Sequence, residues 1–293
     1  LKAALESGAD SVYVGGESFG RDTLSDDFSR EDLIEGIKFA HENNKKVYVT
    51  INLLPHNKDF KEFEAYLKTL DELNVDAVIV SEAGTLITVK QILPEMKIHL
   101  SNVSNVYNYE TANFWHEQGV DRVVISRELS IKEMETMRLN TPESLELEAY
   151  VHGPVIMSYS GRKLITSYLE SKGKDNYSSK KKYNLTEEKR QGQYSPVYED
   201  EAGTIFFASR DLCMIEYLDK FIRAGVSTLT IEARLNDEKY VREVVPVYRK
   251  AIDDFYNNNF EYNCTEDMLE TLKNATPRKH TTGFYLDETI DYD

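Results

Sequence analysis

Residues 145–167 read LELEAYVHGPVIMSYSGRKLITS, and this stretch decides how the fold is interpreted. It begins as a strand, because apolar and more polar residues alternate from Leu145 to Tyr150. The alternation stops at Val151, and the His, Gly and Pro that follow predict the end of the strand. A histidine at a strand end suits a functional site. We therefore expect His152 to face such a site; the alternative is that it only packs near the strand end.

Before and after this stretch, predicted strands alternate with helices along most of the chain. A helix at residues 1–8 precedes the first strand, which suggests that one earlier strand is absent from this chain. Such alternation implies parallel strands joined by right-handed crossovers. Seven strands plus the absent one predict an α/β protein with a TIM-like (β/α)8 barrel. The alternative is an open doubly wound sheet. Such a sheet commonly carries a glycine-rich phosphate loop, and this sequence has none after any predicted strand. The seven strands end near Val14, Leu53, Val80, Leu100, Ile125, Val151 and Ile231.

A basic insertion, which we call the excursion, interrupts the pattern after the strand that ends near Val151. This strand is the seventh of the barrel when the absent strand is counted as the first. We assign residues 1–256 to the barrel, with an insertion at 155–210. Within the insertion, residues 204–207 predict a short strand outside the main sheet. Residues 257–293 form a polar C-terminal tail that we expect to be only partly ordered.

The carboxyl ends of the strands in such a barrel converge on one opening. Arginines there suit two-point contacts with a carboxylate or phosphate, and a His or Glu can move a proton near neutral pH. We predict catalytic roles for His152, Glu128 and Glu232. The predicted substrate-binding residues are Arg127, Arg234, Gly15, Gly16, Asn52 and Ser101.

A plainer interpretation of these strand ends is that the adjacent charges form structural ion pairs at the rim. It applies to Arg127 with Glu128 and to Glu232 with Arg234. The sequence has no His-x-His or His-x3-His spacing, so we expect no metal site.

The excursion is basic inside an acidic chain. Residues 162–190 hold nine Lys or Arg and four Asp or Glu, with tyrosines interleaved, while the whole chain has a net charge of −16. Basic charge combined with aromatic faces is typical of single-stranded RNA binding; a solvated flexible loop is the alternative. The predicted RNA-binding residues are Arg162, Lys163, Lys180, Lys181, Lys182, Lys189 and Arg190.

Composition narrows the class of protein. The acidic balance argues against a dedicated nucleic-acid coat protein, although it permits a local basic patch. Two distant cysteines, Cys213 and Cys264, give no disulfide framework and too few thiolates for a cluster held by cysteine alone. No apolar run is long enough to span a bilayer and no signal peptide is visible. We expect a cytoplasmic protein without a membrane partner.

Several stretches resemble the peptidase U32 family, the collagenase-like group. They are LELEAYVHGPVIMSYSGRKLITSYL, KVYVTINLLPH, VDAVIVSEAG, RVVISRELS, EEKRQGQYSPVYEDEAGTIFFASRDLCMIEYLDKFIRAG and TIEARL with YVREVVPVYRKAID. The closing TPRKHTTGFYLDE is similar to the short Gram-positive members. The resemblance implies a TIM-like barrel. It implies either proteolysis, including collagen breakdown, or formation of 5-hydroxyuridine at the tRNA wobble position with prephenate as a substrate. Prephenate carries two carboxylates, which Arg127 and Arg234 would suit.

The resemblance also implies cysteines that this chain lacks. Many members have iron–sulfur ligands where this chain has Ile156 and Lys163, and two more near its Asp175 and Ser179. We therefore predict no iron–sulfur cluster. Without one, the redox step is in doubt, or a partner protein carries it out. Gram-positive bacteria often carry a short and a long member together, so the resemblance makes a hetero-oligomer with a longer paralogue an open alternative.

Three functions remain open from the sequence. The first is an RNA-modifying enzyme, or its subunit, that acts on tRNA. The second is a peptidase, although the sequence has no Gly-x-Ser-x-Gly, no His-Glu-x2-His and no Cys–His pairing near a strand end. The third is a binding subunit without chemistry of its own, which the missing cysteines favour.

Overall fold

The computed structural model describes residues 1–16, 19, 28–52, 55–173, 181–186, 188, 193–200 and 203–286. These residues form an α/β fold around one curled sheet, as the strand–helix alternation predicts. Its mutually parallel strands are, in order across the sheet, β1 (Ser11–Gly15), β2 (Lys46–Ile51), β3 (Ala77–Val80), β4 (Ile98–Leu100), β5 (Arg122–Val124), β6 (Glu146–Ser160) and β10 (Thr228–Ile231).

Helices connect these strands and cover the outer face of the sheet. Two of them begin with a capping box, in which a serine and an acidic residue three positions later satisfy each other's backbone N–H groups: Ser29 with Asp32, and Ser130 with Glu133. The helices are α1 (Lys2–Glu6), α2 (Arg30–Glu42), α3 (Phe60–Glu72), α4 (Ala83–Ile92), α5 (Tyr109–Glu117), α6 (Ile131–Leu139), α7 (Leu164–Ser171), α8 (Leu218–Arg223), α9 (Glu238–Asn257) and α10 (Glu266–Ala275).

The two faces of the parallel strands bury different residues. In β2, Val47, Val49 and Ile51 join the main core beneath the helices, whereas Tyr48 packs into a small inner cluster. Apolar residues on the outer face bury against helices, which is the main stabilising contribution to such a fold. The inner face mixes aliphatic residues such as Ile79 and Val124 with aromatic, polar and charged side chains, and the polar and charged ones can form a site.

The sheet curls until its two edges approach each other. Tyr13 in β1 donates a hydrogen bond from its hydroxyl to Oε2 of Glu232, which directly follows β10, over 3.1 Å. Within the described residues β1 pairs only with β2, and β10 only with β6, so the edges are linked through side chains. The result is a curled half-barrel.

Strand β6 does not end at the His-Gly-Pro sequence, so the predicted end was wrong. It runs on to Ser160 and pairs there with β9 (Gly203–Cys213) in the antiparallel sense. Gly153 has φ +104°, and a Cβ at this position would overlap the carbonyl oxygen of Glu232. The register also shifts after Pro154. Gly and Pro mark irregularities inside a long strand here, which local sequence cannot distinguish from a strand end.

The predicted insertion continues the main sheet. Strands β9, β8 (Ser195–Asp200) and β7 (Lys181–Leu185) follow β6 in antiparallel order, so the strand expected at 204–207 is longer and lies inside the sheet. Glu199 of β8 accepts hydrogen bonds from the backbone N–H groups of Ile165 (2.7 Å) and Thr166 (2.9 Å). This carboxylate caps α7 and ties it to the sheet. We call β7–β9 and the second half of β6 the outer sheet.

The tail expected to be partly ordered packs on the main body. Helix α10 buries Met268 and Leu272, which are four residues apart and share one face. Strand β11 (His280–Thr281) then pairs in parallel with β9, and Tyr285 is buried. The few apolar residues that bury in this segment are surrounded in sequence by polar ones, so its composition did not predict that it is ordered. No helix in the described part of the chain has the length and hydropathy needed to cross a membrane.

Candidate functional site

The inner cavity lies at the carboxyl ends of the parallel strands, inside the curled sheet. It has a volume of about 70 Å³. The half-barrel forms its floor and sides, and Ile156, Tyr159 and Ile205 of the outer sheet form the remaining wall. Four of the predicted substrate-binding residues line it: Asn52, Ser101, Arg127 and Arg234.

Arg234 is held by a carboxylate. Its Nη2 lies 2.6 Å from Oε2 of Glu232 and its Nε lies 2.9 Å from Oε1, in a two-point ion pair. Burial alone raises the pKa of Glu232, but the charge and hydrogen bonds of Arg234 outweigh it and leave the pKa below its ordinary value. Glu232 is therefore an ionised acceptor, which fits the structural ion pair better than a proton-transferring group.

Arg127 is arranged differently. Its Nη2 donates to the carbonyl of Ile156 over 2.9 Å, and its guanidinium carbon lies 5.1 Å from the centre of the Tyr150 ring. Among the residues that the structure describes, no carboxylate forms an ion pair with Arg127. The neighbouring Glu128 is exposed and accepts a hydrogen bond from Tyr107 (2.8 Å), outside the cavity lining. Arg127 therefore brings an uncompensated positive charge to the cavity.

His152 is not brought together with these arginines, which corrects the expected position. Thr230 pairs with Tyr150 but Ile231 pairs with His152, so Val151 is an extra residue in β6. This bulge shifts the alternation and turns the imidazole to the outer face. There Nδ1 lies 3.1 Å from the hydroxyl of Tyr248 in α9.

Burial lowers the pKa of the His152 imidazole far below its ordinary value. The side chain is fully buried, and desolvation, assisted by the nearby His280, lowers its pKa to about 3. The imidazole is therefore neutral near pH 7. A catalytic role for His152 stays a prediction, but this side chain is not among those that line the inner cavity.

The two predicted glycines also lie outside the lining of the inner cavity. Gly15 pairs with Thr50 within the sheet and borders a separate groove between β1 and β10. A Cβ on Gly16 would overlap the hydroxyl of Tyr66, so this glycine permits close packing of α3.

Sequence analysis missed three tyrosines and an acid that line the cavity: Tyr13, Tyr150, Tyr159 and Glu148. Glu148 pairs with the buried Arg122 (Nη1–Oε2, 3.2 Å) and accepts from Thr230 (2.7 Å). Burial, which outweighs the attraction of Arg122, raises the pKa of Glu148 above its ordinary value. Burial likewise raises the pKa of Tyr150 to about 12. The available signal was strict alternation, which places residues 148 and 150 on the inner face.

The basic surface adjoins the cavity through the outer sheet. Arg162 is exposed just beyond β6, and the exposed Lys182 places its amine 5.2 Å from the ring centre of Tyr198. Lys163 precedes α7. Only the backbone of Lys181 is described. Lys180, Lys189 and Arg190 lie outside the described residues.

The positions at which the resemblance implies iron–sulfur cysteines do not fit a cluster. Ile156 and Lys163 offer no thiolate, and the other two positions, 175 and 179, lie outside the described residues. Burial raises the pKa of the Cys213 thiol to about 11, which disfavours its thiolate. In the described part of the chain no cluster of three or more His, Cys, Asp or Glu could hold a metal ion.

A serine–histidine contact exists, but away from the cavity. Nε2 of His116 lies 3.0 Å from Oγ of Ser144, and its Nδ1 contacts the carbonyl of Val120. Ser144 precedes β6, so the pair lies at the opposite end of the strands from the cavity. A backbone carbonyl stands where a hydrolase commonly has a carboxylate. This geometry does not favour a peptidase.

Comparison with known proteins gives a consistent family. The model of Peptidase family U32 matches residues 1–291. The chain is 33% identical over 335 residues to "tRNA hydroxylation protein P" of Escherichia coli (strain K12), covering 99% of this chain and 73% of the relative. Two relatives from Bacillus subtilis (strain 168) match similarly. "tRNA hydroxylation protein P1" is 32% identical over 97% of this chain and 68% of its own. "tRNA hydroxylation protein P2" is 34% identical, and the match covers 98% of this chain and 94% of the relative. This chain belongs to peptidase family U32.

Proposed function

We propose that this protein takes part in the hydroxylation of tRNA, as the enzyme or as a subunit of it. The single observation that carries the proposal is the uncompensated charge of Arg127 in a tyrosine-lined cavity that lies beside the outer sheet with its exposed Lys182. The positive charge and the aromatic lining of this cavity suit a carboxylate group. Relatives whose names state tRNA hydroxylation support the same function.

The proposed RNA surface is the outer sheet. Arg162 and Lys182 supply phosphate contacts, and Tyr159 supplies an aromatic face at the rim on which a base can stack. A wobble uridine that leaves its stack reaches the inner cavity from this side. The strongly acidic remainder of the chain disfavours other approaches.

The proposed small substrate is prephenate, a dicarboxylate, of which one carboxylate end would enter the inner cavity of about 70 Å³. Arg127 suits one carboxylate because its guanidinium still has donors to offer. Arg234 is already engaged by Glu232, so it contributes orientation of the cavity wall more than charge. Asn52 adds a buried amide oxygen without a hydrogen-bond partner at the cavity, which suits a hydroxyl or N–H donor.

We propose further that the chain carries no iron–sulfur cluster of its own and that a longer paralogue supplies the redox partner. The presence of both P1 and P2 in Bacillus subtilis is compatible with such a pair. A tRNA substrate places this activity in the cytoplasm. Iron analysis and absorption spectra of anaerobically purified protein test the first statement, and co-purification with the paralogue tests the second.

The finer fold proposal is a TIM-like (β/α)8 barrel. A groove of about 1290 Å³ separates β1 from β10 and reaches the inner residues Arg122 and Glu148. One further parallel strand in this groove would complete eight. Slow hydrogen exchange of the β1 amides that face the groove would support it, and fast exchange would contradict it.

The direct test of function is nucleoside analysis of tRNA. Deleting the gene together with any paralogue should abolish 5-hydroxyuridine, and expressing this chain with its paralogue should restore it. The Arg127→Ala variant should fail to restore it. An unchanged 5-hydroxyuridine level in the deletion strain would contradict the proposal.

A further inference from the structure

Tyr285 lies in the C-terminal segment that begins at residue 257, and it contacts three elements of the main body: β6, α6 and α8. Its hydroxyl donates to the carbonyl of Tyr150 over 2.9 Å, and its own carbonyl accepts from the N–H of Ile131 over 3.0 Å. Its ring stands edge-on to Phe221 of α8, with ring centres 5.0 Å apart. Only 1% of the side chain is exposed.

The two hydrogen bonds reach the backbones that carry the main cavity groups. Ile131 is the first residue of α6, and only three residues separate it from Arg127. The Ser130 capping box fixes this short link, so a restraint on Ile131 is also a restraint on Arg127. Tyr150 provides the ring beneath the guanidinium. Tyr285 thus ties both sides of this contact to one residue.

The position of Tyr285 is set independently of the cavity. Arg278 pairs with the fully buried Asp211 of β9 (Nε–Oδ1, 2.7 Å), and Thr276 donates to the same carboxylate (3.2 Å). Strand β11 then pairs with β9. A buried charged pair with added hydrogen bonds holds a segment in one geometry, so Tyr285 is anchored on the sheet before it meets β6.

We infer that Tyr285 is a positioning residue, which holds the Arg127 guanidinium over the Tyr150 ring and so shapes the anion site of the inner cavity. Its effect on substrate binding rests on the proposed function. Its effect on the placement of Arg127 does not, because the contacts exist in the protein alone. The C-terminal segment is accordingly part of the site and not an appendage of the fold.

The experiment compares Tyr285→Phe with wild type in two measurements. The first is the rate at which phenylglyoxal modifies Arg127, followed by peptide mass spectrometry, with Arg234 as the internal reference. The second is the affinity for prephenate by calorimetry. We expect the Arg127 rate to rise several-fold relative to Arg234. We expect prephenate affinity to fall about fivefold, the factor that a neutral hydrogen bond of about 1 kcal/mol represents.

Tyr262→Phe is the matched control, because Tyr262 lies in the same segment and donates to a backbone carbonyl, that of Ile215, remote from the cavity. It should change neither measurement. Ile131→Pro is a second variant: it removes the other hydrogen bond at the first helical position, which accepts proline. It should also raise the Arg127 rate.

The outcomes separate the two proposals. Unchanged Arg127 modification in both Tyr285→Phe and Ile131→Pro overturns the positioning role. A second outcome is that Arg127 is modified faster in the variants while the wild-type protein does not bind prephenate. This outcome supports the positioning role and contradicts prephenate as the substrate. A similar rise in Tyr262→Phe would show general loosening of the segment and would also overturn the specific role of Tyr285.

Discussion

The guanidinium of Arg127 lies over the ring of Tyr150, 5.1 Å from its centre, and donates to a carbonyl farther along the same strand. The ring faces one side of the cation and leaves other donors available. A stacked guanidinium of this kind binds anions in a fixed orientation, which a flexible lysine does not.

Replacing Arg127 should therefore remove anion binding while the fold remains. In Arg127→Ala, prephenate affinity measured by calorimetry should fall about 10- to 100-fold, as expected when a charged hydrogen bond worth about 1.5–3 kcal/mol is lost. Arg127→Lys should recover little, because it cannot make the two-point contact. The exposed Arg162→Ala variant is the control and should bind prephenate normally; equal affinity in all three variants would contradict the assignment.

The buried pair of Arg122 and Glu148 should dominate the stability of the inner face. Arg122→Met leaves Glu148 buried without its partner, and we expect a loss of about 3–5 kcal/mol in the free energy of unfolding. Urea titration measures it. The exposed pair of Arg30 and Glu72 provides the control, since Arg30→Ala should cost about 1 kcal/mol or less. Comparable losses in the two variants would contradict the role of the buried pair.

Gly153 should be far less replaceable than another glycine with positive φ. Gly173 has φ +70° and no atom near the position of a Cβ, so Gly173→Ala should cost only about 1–2 kcal/mol for its backbone conformation. Gly153→Ala adds an overlap with the Glu232 carbonyl, for which we expect about 1–3 kcal/mol more. Thermal or urea unfolding of both variants checks the difference, and equal costs would contradict it.

Stability should decline on mild acidification because His152 is buried in its neutral form. Its pKa is about 3 in the fold, against about 6.5 in an unfolded chain. The unfolded state thus binds more protons between these values. The stabilisation is complete above pH 6.5 and is lost as pH falls towards 3, by about 2 kcal/mol at pH 5. Urea unfolding at pH 7.5 and 5.0 should show a smaller difference in His152→Gln; an identical difference would contradict this account.

The outer sheet should account for RNA affinity. Lys182→Ala should weaken tRNA binding, measured by fluorescence anisotropy, and lower the slope of log affinity against log salt by about 1. Lys2, which lies on α1 and pairs with Glu35, is the control. If Lys2→Ala weakens binding as much as Lys182→Ala, the RNA surface lies elsewhere.

The parallel strands were predictable because their signals are local. Apolar runs such as that of β2, and caps such as Ser130, specify a strand or a helix start without tertiary information. Asn52, Ser101, Arg127 and Arg234 also lie together as expected, because parallel strands point their carboxyl ends the same way. Their individual roles stay predictions.

The errors come from features that depend on distant residues. The bulge at Val151 follows from the pairing of β6 with β10, which are about eighty residues apart in sequence, and it reversed the direction of His152. The continuation of β6 past Pro154 depends on β9. The buried position of Tyr285 depends on Asp211, seventy-four residues earlier. None of these pairings leaves a periodic signal near the residue that it affects.

Strand β6 runs from the half-barrel, along the cavity wall, into the outer sheet, with a bulge at Val151 and a register shift after Pro154. Its fifteen residues span at most about 50 Å at the usual rise of a strand, because the irregularities bend and shorten it. Strand β9 pairs with its second half and restrains it. If this protein acts on tRNA as proposed, the outer sheet that would bind the tRNA and the cavity that would receive the base share one strand, and the length of β6 would limit how far a flipped base has to move.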